Sequence, residues 1–328
     1  MKRYPKNPIL TRADIPDIPP LLFDVSSVFN PGAVLRRDSA AAGEISLLLR
    51  VQTRSRETAI VPAHSADGVH FRVEPKIVRF AGIEKVKGRI HHIYDPRITW
   101  IDGVYYIMLA MDMDDTCRLG LAKTIDFETF EFCGVVSGDD NRNGVLFPEK
   151  VNGFWLRLDR PNKARHAGGP ASGSAIWLSA SNDLLHWEPV EPLIDGRFHY
   201  WDEFIGAGPP PLKTRKGWLQ IYHGVAGHFG SASVYQAGVF LLDLKDPTKV
   251  LGRCRYNILE PRENYELVGQ VPNVVFPSGL VASNVDEEGF ARDVGEIKIY
   301  YGAADSFVGL AKTTVGELIQ ACTEGPIP

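Results

Sequence analysis

Cysteine is scarce: the chain has 4, at Cys117, Cys133, Cys254 and Cys322. They form no CxxC and no Cys/His pair at zinc-ligand spacing, which argues against a disulfide framework and against a structural metal. They read as plain buried thiols. Net charge is equally slight, −4 from 36 basic and 40 acidic residues, whereas binding a nucleic acid or an anionic membrane needs a basic excess. Apolar stretches such as Ile45 to Leu49 and Val239 to Leu242 fall far short of the roughly 20 residues of a membrane helix. No transmembrane span is expected. The start, Met1-Lys2-Arg3-Tyr4-Pro5, does not lead into the apolar stretch of about 7 to 15 residues that a signal peptide needs, so a cytoplasmic location is the expectation. What is present is an ordinary globular mix, 44% hydrophobic and 23% charged over 328 residues, with ample apolar surface for a core.

The organising feature is a repeat. Ser65-Ala-Asp67-Gly-Val-His-Phe71, Thr124-Ile-Asp126-Phe-Glu-Thr-Phe130 and Ser181-Asn-Asp183-Leu-Leu-His-Trp187 share Ser/Thr, any residue, Asp, three residues, aromatic. Each follows a short β-like stretch. A weaker copy is Leu244-Lys-Asp246-Pro-Thr-Lys-Val250, and a degenerate one follows Phe307 to Ala311. Hydroxyl and carboxylate side chains at this spacing hydrogen-bond backbone N–H groups of a turn, and the aromatic fills space between sheets. Upstream of each turn lies a further apolar or alternating stretch: Ile45 to Val51, Val104 to Met111, Gly153 to Leu158, Trp218 to Gly224 and Glu296 to Gly302. Several open on Gly-type hairpin turns, as in Ile101-Asp102-Gly103-Val104. The period is about 60 to 70 residues, within reach of propeller blades. With 31 Gly and 23 Pro and few helical periodicities, the pattern predicts an all-β, five-bladed β-propeller forming a single domain over 1–328. Val315 to Cys322 has helical spacing and predicts a short C-terminal helix.

A propeller's ligand site lies on its axis, where inner strands from several blades converge. Polar clusters beside the predicted strands are therefore read together. They are Val28-Phe29-Asn30-Pro31-Gly32-Ala33, Tyr94-Asp95-Pro96-Arg97-Ile98-Thr99, Asp140-Asn141-Arg142-Asn143-Gly144, Asp159-Arg160-Pro161-Asn162, Ile205-Gly206-Ala207-Gly208-Pro209-Pro210-Pro211, Tyr222-His223-Gly224 and Tyr301-Gly302-Ala303-Ala304-Asp305. Their spread over the units suits one shared pocket.

This ordered set resembles glycoside hydrolase family 130, the β-mannoside phosphorylases and related β-mannosidases, from about Pro8 to about Leu318. The family is a five-bladed propeller, in agreement with the repeat. The resemblance implies inverting cleavage of a β-mannosidic bond, in most members by inorganic phosphate, to give α-mannose 1-phosphate. It makes Asp95 the general acid, acting through a hydroxyl of the mannosyl residue. It makes Arg142, Arg160 and His223 the phosphate cradle, and Asn30, Arg50, Asn143 and Asp305 the groups that hold the sugar. The chemistry independently demands a proton donor, since an alkoxide is a poor leaving group. It also separates the two reaction types: an inverting hydrolase needs a second carboxylate to activate water, whereas phosphate needs cations.

Two departures stand out. Many such phosphorylases carry a Lys just before Ile-Gly-Ala-Gly, and here Trp201-Asp202-Glu203-Phe204 occupies that stretch. Asp202 and Glu203 read either as solvated charge or as the base of a hydrolase. The polar loop from Lys163 to Ser174, with Arg165 and His166, reads as a cover for the acceptor sugar or a source of a replacement cation. Trp100, Trp155, Tyr200 and Trp201 read as core packing or as sugar-stacking platforms. His91 and His92 are adjacent, so a strand would point them to opposite faces and not at one metal. No metal and no cofactor are expected beyond phosphate as co-substrate. The expected partners are a small-molecule β-mannoside and phosphate, with no nucleic acid and no membrane, and a homo-oligomer is compatible with the sequence. The leading reading is thus an inverting β-mannoside phosphorylase acting on a manno-disaccharide or manno-oligosaccharide. A β-mannosidase and a non-catalytic sugar-binding propeller are the alternatives.

Overall fold

The structure, a computed structural model, describes residues 1–138, 140–162, 173–227 and 232–323. Its described strands form five sheets that follow one another along the chain, antiparallel except where Phe80–Ala81 pairs in parallel with Phe130–Val135. They are the five blades of a β-propeller. Their inner strands are Val25–Leu35, Ile90–Ile101, Asn141–Leu146, Phe204–Ala207 and Val275–Ala282. The second strands are Ile45–Thr53, Val104–Met113, Trp155–Pro161, Gly217–Ala226 and Glu296–Ala303, the stretches expected from the apolar pattern. The outermost strand of blade 5 comes from the other end of the chain: Lys2–Arg3 pairs with Phe307–Thr314. Arg3 is anchored there by Glu266, which is 0% exposed and accepts Arg3 Nε at 2.8 Å.

The repeated turns do what their spacing predicts. Each caps the third strand of its blade. Ser65 Oγ accepts the Gly68 N–H at 2.9 Å and Asp67 Oδ1 accepts those of Val69 and His70. Thr124 with Asp126, and Ser181 with Asp183, repeat the arrangement. In blade 4 the turn begins at Asp243, not Leu244: its carboxylate replaces the hydroxyl and accepts from Lys245 and Asp246 N–H. In blade 5 the hydroxyl is Thr314, and its acceptor caps a helix instead. Thr314 Oγ1 accepts the Glu317 N–H while Glu317 Oε2 accepts that of Thr314, reciprocal capping that starts the helix Val315–Thr323. Its buried Val315, Leu318 and Cys322 join the apolar cluster shared by blades 3, 4 and 5.

The core is divided among the blade interfaces. Separate apolar clusters link blades 5 and 1, 1 and 2, and 2 and 3, so each blade is held by its neighbours. Three of the four cysteines are buried and Cys133 is half-buried, a partial departure from the expectation of buried thiols. Among the described residues no helix is long and apolar enough to cross a membrane.

Candidate active site

One backbone irregularity builds the site, and it recurs. In blades 1, 2 and 3 the inner strand carries two residues opposite one on its neighbour, between Phe29 and Gly32, Tyr94 and Arg97, and Arg142 and Val145. The first extra residue is Asn30, Asp95 or Asn143, with φ of 46°, 51° and 55°. Left-handed backbone is costly for most L-residues but accessible to Asn and Asp, whose short polar side chains tolerate it. The bulge therefore selects the residue types that the chemistry uses, and it re-aims each side chain. The second strands supply Arg50, Arg160 and His223, paired in register with Phe29, Arg142 and Gly206.

These side chains converge on one cavity of about 320 Å³. It is lined by Asn30, Arg50, Asp95, Arg142, Asn143, Arg160, His223 and Asp305, all eight residues singled out from the sequence. Two glycines make room for them. A Cβ on Gly206 would lie 2.4 Å from Asn143 Nδ2 and 2.5 Å from His223 Cε1, and one on Gly302 would overlap Asn30 Oδ1.

Asp95 is tightly framed. Its Oδ1 accepts Asn30 Nδ2 at 3.0 Å and Arg50 Nη1 at 2.9 Å, and the Arg50 guanidinium lies between the Phe29 and Tyr94 rings, 4.5 Å from each centroid. Burial pushes the Asp95 carboxyl up, but the Arg50 and Arg97 charges and the Asn30 hydrogen bond outweigh it and hold Asp95 below the usual carboxylate range. Asp305 goes the other way. Burial raises it to about 6, with Arg50 opposing and the Asp95 charge adding to the rise.

Opposite charge is sparse at the cation cluster. Among the described residues the ion-pair contact of Arg142 is Nη2 to Asp112 Oδ1, at 3.8 Å, and that oxygen already accepts the Tyr94 hydroxyl at 2.7 Å. Arg160 has no ion-pair contact among the described residues; burial and the neighbouring Arg142 charge lower it to about 10, so it stays a cation at neutral pH. Burial, with Arg160 and Arg97 adding, holds His223 well below its ordinary value, so it is neutral. Buried polar atoms without a hydrogen-bond partner among the described residues gather here: Asn30 Oδ1, Arg50 Nε, Arg142 Nε, Arg160 Nε and His223 Nδ1. Such groups are costly unless a ligand completes them.

Several expectations need correction. Asp202 is neither solvated nor placed to act as a base. It is 0% exposed, its carboxylate pairs with Arg197 at 2.8 Å and Arg253 at 2.5 Å, and it accepts the Tyr222 hydroxyl at 2.7 Å. Neither it nor Glu203 lines the cavity. None of Trp100, Trp155, Tyr200 and Trp201 lines it either: Trp201 stacks on Tyr222 and Trp100 lies under Arg37. The aromatic walls are instead Tyr94, Tyr235 and Phe276, with Phe276 4.5 Å from the His223 ring. Tyr94 was legible only as the neighbour of Asp95, and nothing in the sequence marks Tyr235 or Phe276. Arg165 and His166 of the 163–174 loop lie outside the described residues. Among the described residues no group of three or more His, Cys, Asp or Glu side chains is arranged to hold a metal ion.

Comparison with known proteins agrees with this geometry. Residues 1–324 match the glycoside hydrolase family 130, described as beta-1,4-mannooligosaccharide phosphorylase. The chain is 34% identical over 321 residues to a beta-1,4-mannooligosaccharide phosphorylase of Ruminococcus albus, covering 97% of this chain and 89% of that one. It is 35% identical over 254 residues to a 1,2-beta-oligomannan phosphorylase of a Thermoanaerobacter species, covering 76% of each. The solved structure of a beta-1,2-mannobiose phosphorylase from Listeria innocua, with beta-1,2-mannobiose, superposes with a TM-score of 0.81 at 27% identity, covering 98% of both chains.

Proposed function

The chain belongs to glycoside hydrolase family 130, and on that premise we propose that it is an inverting β-mannoside phosphorylase, cleaving a manno-disaccharide or manno-oligosaccharide with inorganic phosphate. The observation that carries this reading is the separation of charge within the cavity: Asp95 and Asp305 lie with Arg50 on one side, whereas the guanidiniums Arg142 and Arg160 have, among the described residues, no carboxylate at hydrogen-bonding distance. Two cations and a neutral His223 suit a phosphate dianion, and guanidinium grips phosphate by two parallel hydrogen bonds. Asp95 Oδ1 is taken up by Asn30 and Arg50, which leaves Oδ2 for a mannosyl hydroxyl.

In the proposed reaction the Asp95 proton passes through that hydroxyl to the leaving oxygen as the glycosidic C–O bond breaks. A phosphate oxygen bonds to the anomeric carbon from the other face, giving α-mannose 1-phosphate. Arg50 and Arg97 hold Asp95 ionised, and an entering phosphate anion offsets their pull and favours the protonated, acid form. Asn30, Arg50, Asn143 and Asp305 hold the sugar. A hydrolase would need a second carboxylate as base; the candidates for it, Asp202 and Glu203, do not line the cavity, and of the other carboxylates that do, Asp112 accepts the Tyr94 hydroxyl and Asp305 lies with Arg50 beside Asp95. A cytoplasmic setting belongs to the same proposal, because a charged sugar phosphate does not cross a membrane.

The test is incubation with a panel of β-manno-oligosaccharides with and without phosphate. Mannose 1-phosphate formed only with phosphate is expected. Free mannose at equal rates in both buffers would replace the proposal by a β-mannosidase, and binding without cleavage would replace it by a sugar-binding propeller.

A further inference from the structure

Arg97 is a cation in the protein's interior. It is 1% exposed, yet has no ion-pair contact among the described residues. Other buried arginines are matched: Arg157 with Asp159 at 2.7 Å, Arg36 with Asp38 at 2.5 Å, Arg253 with Asp202 at 2.5 Å. Arg97 instead spends its donors on backbone. Nε donates to Gly208 O at 2.8 Å, in the turn after the inner strand of blade 4. Nη1 donates to Asp95 O at 3.1 Å and Pro96 O at 3.4 Å, within the bulge that carries Asp95. Nη2 is buried without a partner among the described residues. The guanidinium carbon is 5.4 Å from the Phe276 ring centroid, and that ring packs on His223.

An unmatched charge in such a place is strongly destabilising unless something uses it. We propose that Arg97, which does not itself line the cavity, is the positioning residue of Asp95: it ties the Asp95 bulge to the opposite blade and supplies the fixed positive charge beneath the acid. Its charge acts on both partners of the reaction. Burial lowers Arg97 only to about 10, so it remains a cation at neutral pH. From there it helps to hold Asp95 ionised and His223 neutral. The other groups facing Asp95 are Asn30 and Arg50 from blade 1, Tyr94 and Asp112 from its own blade and Asp305 from blade 5, with Arg142, Arg160, His223 and Tyr235 across the cavity. Unlike the cations Arg50, Arg142 and Arg160, Arg97 sits on the strand of Asp95 itself and holds its backbone. It also adds positive charge below the cavity in a chain without the family's Lys ahead of Ile205.

The inference rests on the phosphorylase reading, and one experiment separates the two. Arg97→Met removes the charge at similar volume, and Arg97→Lys keeps the charge but cannot bridge Gly208 and the bulge. In wild type, mannose 1-phosphate formation against pH gives a reference alkaline limb of kcat/KM, where the acid loses its proton. Removing a cation beside Asp95 raises its pKa. The Met variant is therefore expected to move that limb to higher pH by at least half a unit, with kcat down about tenfold or more. The Lys variant is expected to keep the wild-type limb with reduced kcat, since backbone positioning alone is lost. Both variants at the wild-type kcat, or a Met variant with the wild-type limb, would overturn the proposal. Should the Met variant not fold, the Lys variant decides: a lost kcat with an unmoved limb supports it, and a moved limb or a wild-type kcat overturns it. A wild-type protein that forms no mannose 1-phosphate defeats the phosphorylase reading instead.

Discussion

Two groups of buried charge in this propeller are built in opposite ways. Around Asp202, between blades 3 and 4, the account is closed by the protein itself: one carboxylate takes Arg197, Arg253 and the Tyr222 hydroxyl, all within 2.8 Å. At the axial cavity, among the described residues, Arg142 and Arg160 meet no carboxylate closer than the 3.8 Å of Asp112, and atoms of Arg50, Arg142, Arg160 and His223 are buried without partners. The contrast separates a device for stability from a device for binding. Matched charge locks loops together, whereas unmatched charge stores attraction for an anion from outside.

The largest expected effect breaks the binding side. Asp95→Asn keeps the side chain's volume and much of its hydrogen bonding but loses the proton, so turnover should fall by about 10² to 10⁴-fold with an unchanged thermal melt. A variant keeping more than a tenth of the wild-type rate would remove Asp95 from the role of acid. The next breaks the closed side. Asp202→Ala leaves two arginines buried and unmatched, and should cost about 3 to 5 kcal/mol of stability, read by denaturant unfolding, while the phosphate KM of the protein that remains folded stays near wild type. A phosphate KM raised as far as in the arginine variants would show that Asp202 belongs to the site after all.

Smaller effects sharpen the comparison. Arg160→Ala should raise the phosphate KM about 10- to 100-fold, since a charge-assisted hydrogen bond contributes roughly 1.5 to 3 kcal/mol; Arg160→Lys should recover only part, because a point charge lacks the two-pronged grip. Asp305→Asn should do the reverse of Asp202→Ala. A carboxyl raised to about 6 in the folded protein binds more protons than in the unfolded chain, so its contribution to stability is present below its ordinary value and is lost as pH rises through 6. Replacing it should therefore raise the Tm by roughly 2 to 4 °C at pH 8 and leave the Tm near wild type at pH 4, with weakened sugar binding. An equal shift at both pH values would show that its ionisation is not the cause.

The blades were legible because their turns are local: a hydroxyl and a carboxylate two residues apart satisfy neighbouring N–H groups, and this needs no distant partner. The helix after Thr314 was legible from the helical spacing of Val315 to Cys322. The eight cavity residues were legible through family resemblance in ordered segments, while the left-handed bulges that aim Asn30, Asp95 and Asn143 leave only Asn or Asp as a trace. Asp202 was misread because charge in a sequence carries no sign of burial, and its partners Arg197 and Arg253 gather only in the fold. Tyr235 and Phe276 reach the cavity from strands with no distinguishing pattern, and Arg97 looked like the last letter of a motif until the fold left it without an ion-pair contact among the described residues.

The central claim is that the unmatched arginines are a site for phosphate. Calorimetric titration with inorganic phosphate of the wild-type protein, Asp202→Asn and the Arg142→Ala/Arg160→Ala double variant tests it without any sugar. The account predicts saturable binding at one site per chain in the first two and none in the third. Equal binding by the double variant, or none by the wild type at millimolar phosphate, would contradict it.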